Sequence, residues 1–195
     1  MTAIAIIRHY PTHWNGAQRL QGQTDVPLTD EARETLRGLR MPAPWNTARL
    51  IASPLSRAHE TAQILAEGRA VTTDARLVEI SWGEWEGQTA YKLLKDPASG
   101  FRPTHEWGPD TKAPGGESSR EAWDRLRPAL IDIATDPTPA VLVLHKALMR
   151  LILNRANDGS TEVPEVKRGR LYPMVLRPSG LPRELGEAVR LEPHP

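Results

Sequence analysis

The chain contains no cysteine. Disulfide bonds, thiolate nucleophiles and cysteine-based zinc sites are therefore excluded, and a secreted disulfide scaffold with them. It also lacks a charge excess: 25 Lys and Arg face 24 Asp and Glu, a formal net charge of +1. A nucleic-acid binder would show a basic surplus, so none is expected as a partner. The arginines from Arg168 to Arg190 are diluted by Glu184 and Glu187 and read as solvated surface. No long apolar run is present, and Met1 to Ile7 is too short for a signal peptide or a membrane span. A soluble cytoplasmic protein without a membrane partner is the expectation. Neither GxGxxG nor GxxxxGK[ST] occurs, so dinucleotide and P-loop sites lack their signature; G-x-S-x-G is missing too, and with it the usual serine hydrolase. There are no internal repeats.

What is present is an alternation of short apolar runs and helical segments over 195 residues. Ala3 to Ile7 and Val141 to Leu144 are apolar throughout, as strands covered on both faces would be. Arg49–Ala52, Val71–Thr73 and Leu171–Leu176 complete the expected strands. Helices are expected from Asp30 to about Arg40 behind an N-cap at Thr29, from Ser53-Pro54 to about Glu67, over Glu117–Ala134, and over about Ala147–Ala156. Residues 88–119 carry Pro97, Pro103, Pro109, Pro114, Gly115 and Gly116 and read as an irregular, lid-like insertion. The last residues, rich in proline and glutamate, are expected to be poorly ordered. The pattern predicts an α/β fold, a three-layer sandwich whose mostly parallel central sheet is flanked by helices, in a single domain spanning 1–195.

Two apolar strands end in histidine, as Arg8-His9 and as His145, and a third ends at Ser53 just before a helix turn carrying Arg57. Ligands of open α/β sheets bind beyond the carboxyl ends of strands, so these residues are expected to converge there. Two histidines, two arginines and a helix N-terminus suit a phosphate dianion. A metal reading fails: His9 and His13 have helical zinc spacing, but Pro11 stands between them and no third ligand is evident.

At this point the chain resembles the histidine phosphatase superfamily, also called phosphoglycerate mutase-like. Arg8-His9-Tyr10-Pro11-Thr12-His13-Trp14-Asn15 is similar to its RHGxTxWN signature. Leu20 to Thr29, the Ser53-Pro54-Leu55-Ser56-Arg57-Ala58 block, Leu77 to Gly87 and Pro114-Gly115-Gly116-Glu117-Ser118 resemble further blocks in the same order, and His145 with Arg150 matches a late one. The resemblance implies phosphomonoester hydrolysis through a phosphohistidine on His9. It places Arg8, Arg57 and His145 on the phosphoryl oxygens and Glu79, not nearby Glu84 or Glu86, as general acid and base. Asn15, Gln21 and Gly22 match positions lining the substrate site, and Trp14, Trp82 and Trp85 are expected to pack the pocket wall. No cofactor or metal is implied, and the partner is a small phosphorylated metabolite. Arg8 and Arg57 should disfavour imidazolium at His9 and keep its attacking nitrogen free.

The chain departs from the pattern at four places. Tyr10 replaces the glycine after the nucleophile and is expected to narrow the pocket or supply a hydroxyl. Lys146 and Ala147 replace glycines after the second histidine; Lys146 would add a cation near the phosphate. Ala32 replaces a helical glycine, an exchange that favours the helix. Two alternatives accompany hydrolysis: a weakly active or inactive member that binds a phosphorylated ligand, and a phosphoglycerate mutase. The mutase alternative suffers from Ile80 standing where an arginine follows the acid, and from the thin spread of Lys92, Lys95, Arg102 and Lys112 in the insertion.

Overall fold

The computed structural model describes residues 1–157 and 164–194, with the side chain of Thr104 left out. In chain order the first elements are strand β1 (Thr2–Arg8), the single turn α1 (His13–Gly16), α2 (Asp30–Arg37), β2 (Leu39–Arg40), β3 (Arg49–Ala52), α3 (Ser56–Ala66) and β4 (Val71–Thr73). They are followed by α4 (Ala90–Lys95), α5 (Ser119–Ala134), β5 (Ala140–Leu144), α6 (Lys146–Ala156) and β6 (Arg170–Leu176). Three two-residue strands close the chain: β7 (Pro182–Arg183), β8 (Val189–Arg190) and β9 (Glu192–Pro193).

The central sheet has the order β4-β3-β5-β1-β6-β7, and β8 also pairs with β6. β1, β3, β4 and β5 run parallel, and β6 turns antiparallel against β1. The apolar runs in β1 and β5 follow from their central place. Ile4 and Ile6, with Ala140, Leu142 and Leu144, pack towards α5 and α6. Ala5 and Ile7, with Val141 and Val143, pack towards α2 and α3. Side chains alternate across a strand, so two helical layers demand two apolar faces. The expected α/β sandwich is what the chain forms.

Several local expectations are corrected. α2 stops at Arg37, and Gly38 caps it, because Leu39–Arg40 leave to pair with Pro193 and Glu192 of β9. α3 does not start at Ser53-Pro54. Its N-cap position is Leu55, while Ser53 Oγ accepts from Leu55 N–H and Asp25 Oδ1 takes the Ser56 N–H from across the chain. A remote carboxylate thus serves the positive helix end that a local serine was expected to serve. α5 begins at Ser119, two residues beyond the expected Glu117, because Ser118 and Glu121 form a reciprocal capping box. The 88–119 segment is not wholly irregular, since Thr89 caps α4 within it. Its Leu93, Phe101 and Trp107 build a third apolar cluster with Trp85, Trp82 and Leu20. The C-terminal stretch is ordered as β7 to β9, whose edge pairings hold it down despite its composition. No helix among the described residues is long and apolar enough to cross a membrane.

Candidate active site

Parallel pairing brings three strand ends to one edge. His9 N–H donates to Leu144 O at 2.9 Å, and Ser53 N–H to Val143 O at 3.2 Å. His9, at the end of β1, therefore stands beside His145, at the end of β5, with ring centroids 5.2 Å apart. Arg57, on the second residue of α3, is fully buried and reaches the same place. Its Nε donates to His145 Nδ1 at 3.3 Å, and its Nη1 and Nη2 donate to the carbonyls of Thr24 (3.0 Å) and Gly22 (2.5 Å). Glu79 arrives from the loop after β4 and is buried.

Hydrogen bonds set both tautomers. His9 Nδ1 lies 2.7 Å from Tyr10 O, and a carbonyl only accepts, so Nδ1 carries the proton and Nε2 holds a free lone pair. Burial above all, then the charges of Arg57 and Arg8, holds this imidazole well below its ordinary pKa, so it is neutral. His145 accepts at Nδ1, so its Nε2 carries the hydrogen. Burial and the neighbouring His9 and Arg57 keep it neutral as well.

Among the described residues, three buried nitrogens lack any hydrogen-bond acceptor: Arg8 Nε, Gln21 Nε2 and His145 Nε2. Leaving a buried donor unmet costs about 1–3 kcal/mol, so donors left over on residues at and near the strand ends suit an acceptor-rich ligand. Gln21 is turned this way because its Oε1 accepts from Thr12 Oγ1 (2.9 Å) and Asn15 Nδ2 (3.3 Å), which leaves its own N–H groups over. Asn15 is used otherwise than a direct lining residue would be. Its Oδ1 takes the Thr12 N–H at 3.0 Å and Arg168 Nη2 at 2.8 Å.

Three glutamates follow one another in the sequence block, and their surroundings separate them. Glu84 is exposed. Glu86 would be raised by burial, but hydrogen bonds from Thr24, Gln23 and Trp82 outweigh this and hold it below the usual carboxylate range. Its Oε1 accepts Gln23 N–H (2.8 Å) and Trp82 N–H (3.1 Å), and its Oε2 accepts Thr24 N–H (2.7 Å) and the Thr24 hydroxyl. Glu86 thus ties down the loop whose carbonyls grip Arg57. Glu79 is raised by burial, against opposing hydrogen bonds from the backbone of Ala147, Ile80 and Leu148. Its Oε1 accepts two of these N–H groups and its Oε2 only that of Ala147, so Oε2 is the oxygen with room for a proton.

Gly22 has no space for a side chain. A Cβ there would lie 2.1 Å from Glu86 Oε1 and 2.8 Å from Ile80 O. Gly22→Ala should cost about 1–3 kcal/mol through overpacking and displace the Arg57 anchor. Thermal unfolding should show a lowered Tm, and activity per folded molecule should fall with it. An unchanged Tm with unchanged activity would contradict this account of the loop.

Tyr10 does not narrow the pocket. Its ring is buried in the apolar cluster on the α2 and α3 side of the sheet, which also holds Leu28, Leu171 and Leu191. Its hydroxyl stands 3.0 Å from where a Cβ of Gly169 would be, and Gly169 has φ +68°. The glycine expected after the nucleophile is in effect replaced by one opposite it. Trp85 is buried in the third cluster, and Trp14 lies against Gly87, so both are packing residues. Lys146 opens α6 and is exposed, within electrostatic reach of Arg8, Arg150 and Arg168.

Sequence reasoning missed Arg168, which it counted as solvated surface. Arg168 is half-buried and donates through Nε to His9 O at 3.2 Å. Nothing in the mixed charge around it signalled this, since only the return of β6 beside β1 brings it there. Arg125 was missed as well: it donates to Glu79 O (3.1 Å) while paired with Glu117 at 2.6 Å.

The family model described as histidine phosphatase superfamily (branch 1) matches residues 4–168. A probable phosphoglycerate mutase GpmB of Cronobacter sakazakii is 32% identical over 151 residues, covering 74% of this chain and 70% of its own. The chain covers somewhat less, 62%, of the relative so named in Salmonella paratyphi C, at 33% identity over 133 residues and 67% of this chain. Among solved structures, Bacillus stearothermophilus YhfR superposes with a TM-score of 0.77 at 26% identity, covering 93% of this chain and 94% of that one. A phosphoglycerate mutase from Thermus thermophilus gives 0.72 at 28% identity, with 98% and 99% covered.

Proposed function

Because the chain belongs to the histidine phosphatase superfamily, we propose that it hydrolyses small phosphomonoesters through a phosphohistidine formed on His9. The observation that carries this reading is the set of unmet donors on Arg8, Gln21 and His145 together with a neutral His9 imidazole, next to His145, whose Nε2 is free. His9 Nε2 attacks phosphorus as the ester oxygen leaves in line. Arg8, Arg57 and the His145 Nε2–H hold the equatorial oxygens while charge moves across them. Glu79 Oε2 gives its proton to the departing oxygen. The resulting carboxylate then takes a proton from the water that attacks the phosphohistidine, which frees phosphate and restores His9. The segment 88–119 forms a wall over the bound ester, and residues 1–195 act as one domain of this kind.

A second reading, phosphoglycerate mutase, draws on the printed names of the curated relatives. Retaining a doubly phosphorylated intermediate calls for free cations in the insertion. Here Lys112 is engaged with Glu121 at 2.6 Å and Lys95 sits over the Tyr91 ring, which supports hydrolysis. The deciding experiment incubates the protein with an aryl phosphate and, separately, with phosphoglycerates. Released inorganic phosphate, with an acid-labile and alkali-stable phosphoenzyme in quenched samples, is the expected result. Rapid phosphoglycerate interconversion without net phosphate release would favour the mutase, and a folded protein inert in both assays would favour a ligand-binding member.

A further inference from the structure

No residue of the Pro114–Ser118 block carries a step of the proposed hydrolysis, yet the block lies hard against the loop that carries Glu79. Between the short turns Ala75–Leu77 and Gly83–Trp85 that loop has neither helix nor strand. Glu117 N–H donates to Ser81 O at 2.9 Å, and Glu117 Oε2 accepts the Ser81 N–H at 3.4 Å. Gly116 leaves room for this approach, since a Cβ there would stand 2.8 Å from Ser81 O. Glu117 also holds Arg125 of α5 in a two-point pair, Nε to Oε1 at 2.6 Å and Nη2 to Oε2 at 2.8 Å. The same guanidinium donates through Nη1 to Arg76 O at 2.6 Å and through Nη2 to Glu79 O at 3.1 Å. Gln23 Nε2, on the loop that grips Arg57, donates to that Glu79 carbonyl as well, at 3.1 Å.

Leu77 and Ile80 are buried in the core on either side of the Glu79 peptide. Apolar contact is non-directional, so it fixes the depth of the loop but not the angle at which Glu79 is presented. Hydrogen bonds supply the direction. The carboxylate rests on the Ala147 and Leu148 N–H groups of α6, while the main chain rests on Arg125 of α5. We propose that Arg125, aligned by Glu117, is a positioning residue for the general acid, fixing the main chain of Glu79 so that Oε2 faces the departing oxygen. This rests on the reading of Glu79 as that acid. A misplacement of about 1 Å at a reacting group costs up to about 10²-fold in rate, so a staple of this kind matters to the chemistry and not only to the fold.

Steady-state kinetics with glycerophosphate and para-nitrophenyl phosphate test this, with inorganic phosphate as a competitive inhibitor. Arg125→Met should lower kcat/KM about tenfold or more on glycerophosphate, whose alkoxide needs a proton, and less than about threefold on para-nitrophenyl phosphate. Inhibition by phosphate should stay within about twofold of wild type, because the donors facing the phosphoryl group are untouched. Glu117→Gln removes the opposite charge. A purely electrostatic influence would drive the two variants apart, whereas a lost alignment lowers glycerophosphate hydrolysis in both. Glu117→Gln also decides the matter should Arg125→Met fail to fold. Arg49→Met removes a comparable anchor from the far end of α5, where Arg49 Nη2 donates to the carbonyls of Ile133, Asp136 and Thr138, and should leave the ratio of the two esters unchanged. Losses that are absent or equal on the two esters, or opposite effects of the two charge changes, overturn the positioning role. A ratio shifted as far by Arg49→Met overturns it too, since that marks general loosening of α5. If Glu79→Gln separates the esters and neither Arg125→Met nor Glu117→Gln does, the acid stands without its positioning residue. If Glu79→Gln fails to separate them, or wild type is inert towards glycerophosphate, the acid falls and the positioning residue with it.

Discussion

Replacing His9 by alanine should abolish turnover, lowering kcat by about 10⁴-fold or more and removing the phosphoenzyme from quenched samples. Neither His145 nor Tyr10 can take over the attack. His145 lies next to His9, but its Nδ1 is held by Arg57 Nε, and its Nε2 carries a hydrogen and so lacks a lone pair. Tyr10 points into the core on the far side of the sheet. The fold should survive, because β1 is held by its parallel pairing to β5 and its antiparallel pairing to β6, neither of which uses the imidazole. Circular dichroism and thermal unfolding would establish this. A folded His9→Ala protein that still turns over and still traps a phosphoenzyme would refute the mechanism. If phosphate were released without any covalent intermediate in wild type, direct attack by water would replace it.

Glu79→Gln should lower kcat by about 10²–10⁴-fold on alkyl phosphates, whose leaving oxygen needs a proton. The loss should shrink on an aryl phosphate, whose phenolate leaves unaided. Its pH signature follows from the direction of the shift. Burial raises the Glu79 carboxyl above its ordinary 4.5, despite the backbone N–H groups it accepts, so the acid form persists to higher pH than in an exposed glutamate. Phosphoryl transfer from an alkyl ester should therefore decline on the alkaline side, as Glu79 ionises through its raised value. Glutamine does not titrate, so that limb should vanish in the variant. On the acid side burial and the neighbouring arginines hold His9 neutral well below the ordinary histidine range, so any limb it imposes is shifted to lower pH. The same shift bears on stability. The native carboxyl binds its proton more tightly than the unfolded one, so this group favours the fold at pH below 4.5, and that contribution is lost as pH rises through the native value. Equal losses on alkyl and aryl esters with an unchanged pH profile would show that Glu79 acts only as an acceptor for the Ala147 and Leu148 N–H groups of α6.

Much of this protein was legible in one dimension. Fully apolar runs at Ala3–Ile7 and Val141–Leu144 meant buried central strands, because a strand covered on both faces has no polar side. Arg8-His9, Arg57, Glu79 and His145 stood at strand ends or in recognisable blocks, and local order along the chain is what such patterns record. The tertiary structure decided what depends on residues far apart in sequence. Asp25, not Ser53, meets the N-terminus of α3, because a remote loop reaches it. The C-terminal stretch is ordered because β6 and β2 offer it strand edges, which composition does not reveal. Arg168 joins the site only because β6 runs back alongside β1, and Tyr10 leaves the pocket only because Gly169 makes room beneath it. Chain-local chemistry chose the nucleophile and its strand. The neighbouring Tyr10 carbonyl sets its tautomer, while the packing of distant segments set its neutral charge and the unmet donors of the site, because those depend on burial and on partners that no sequence window contains.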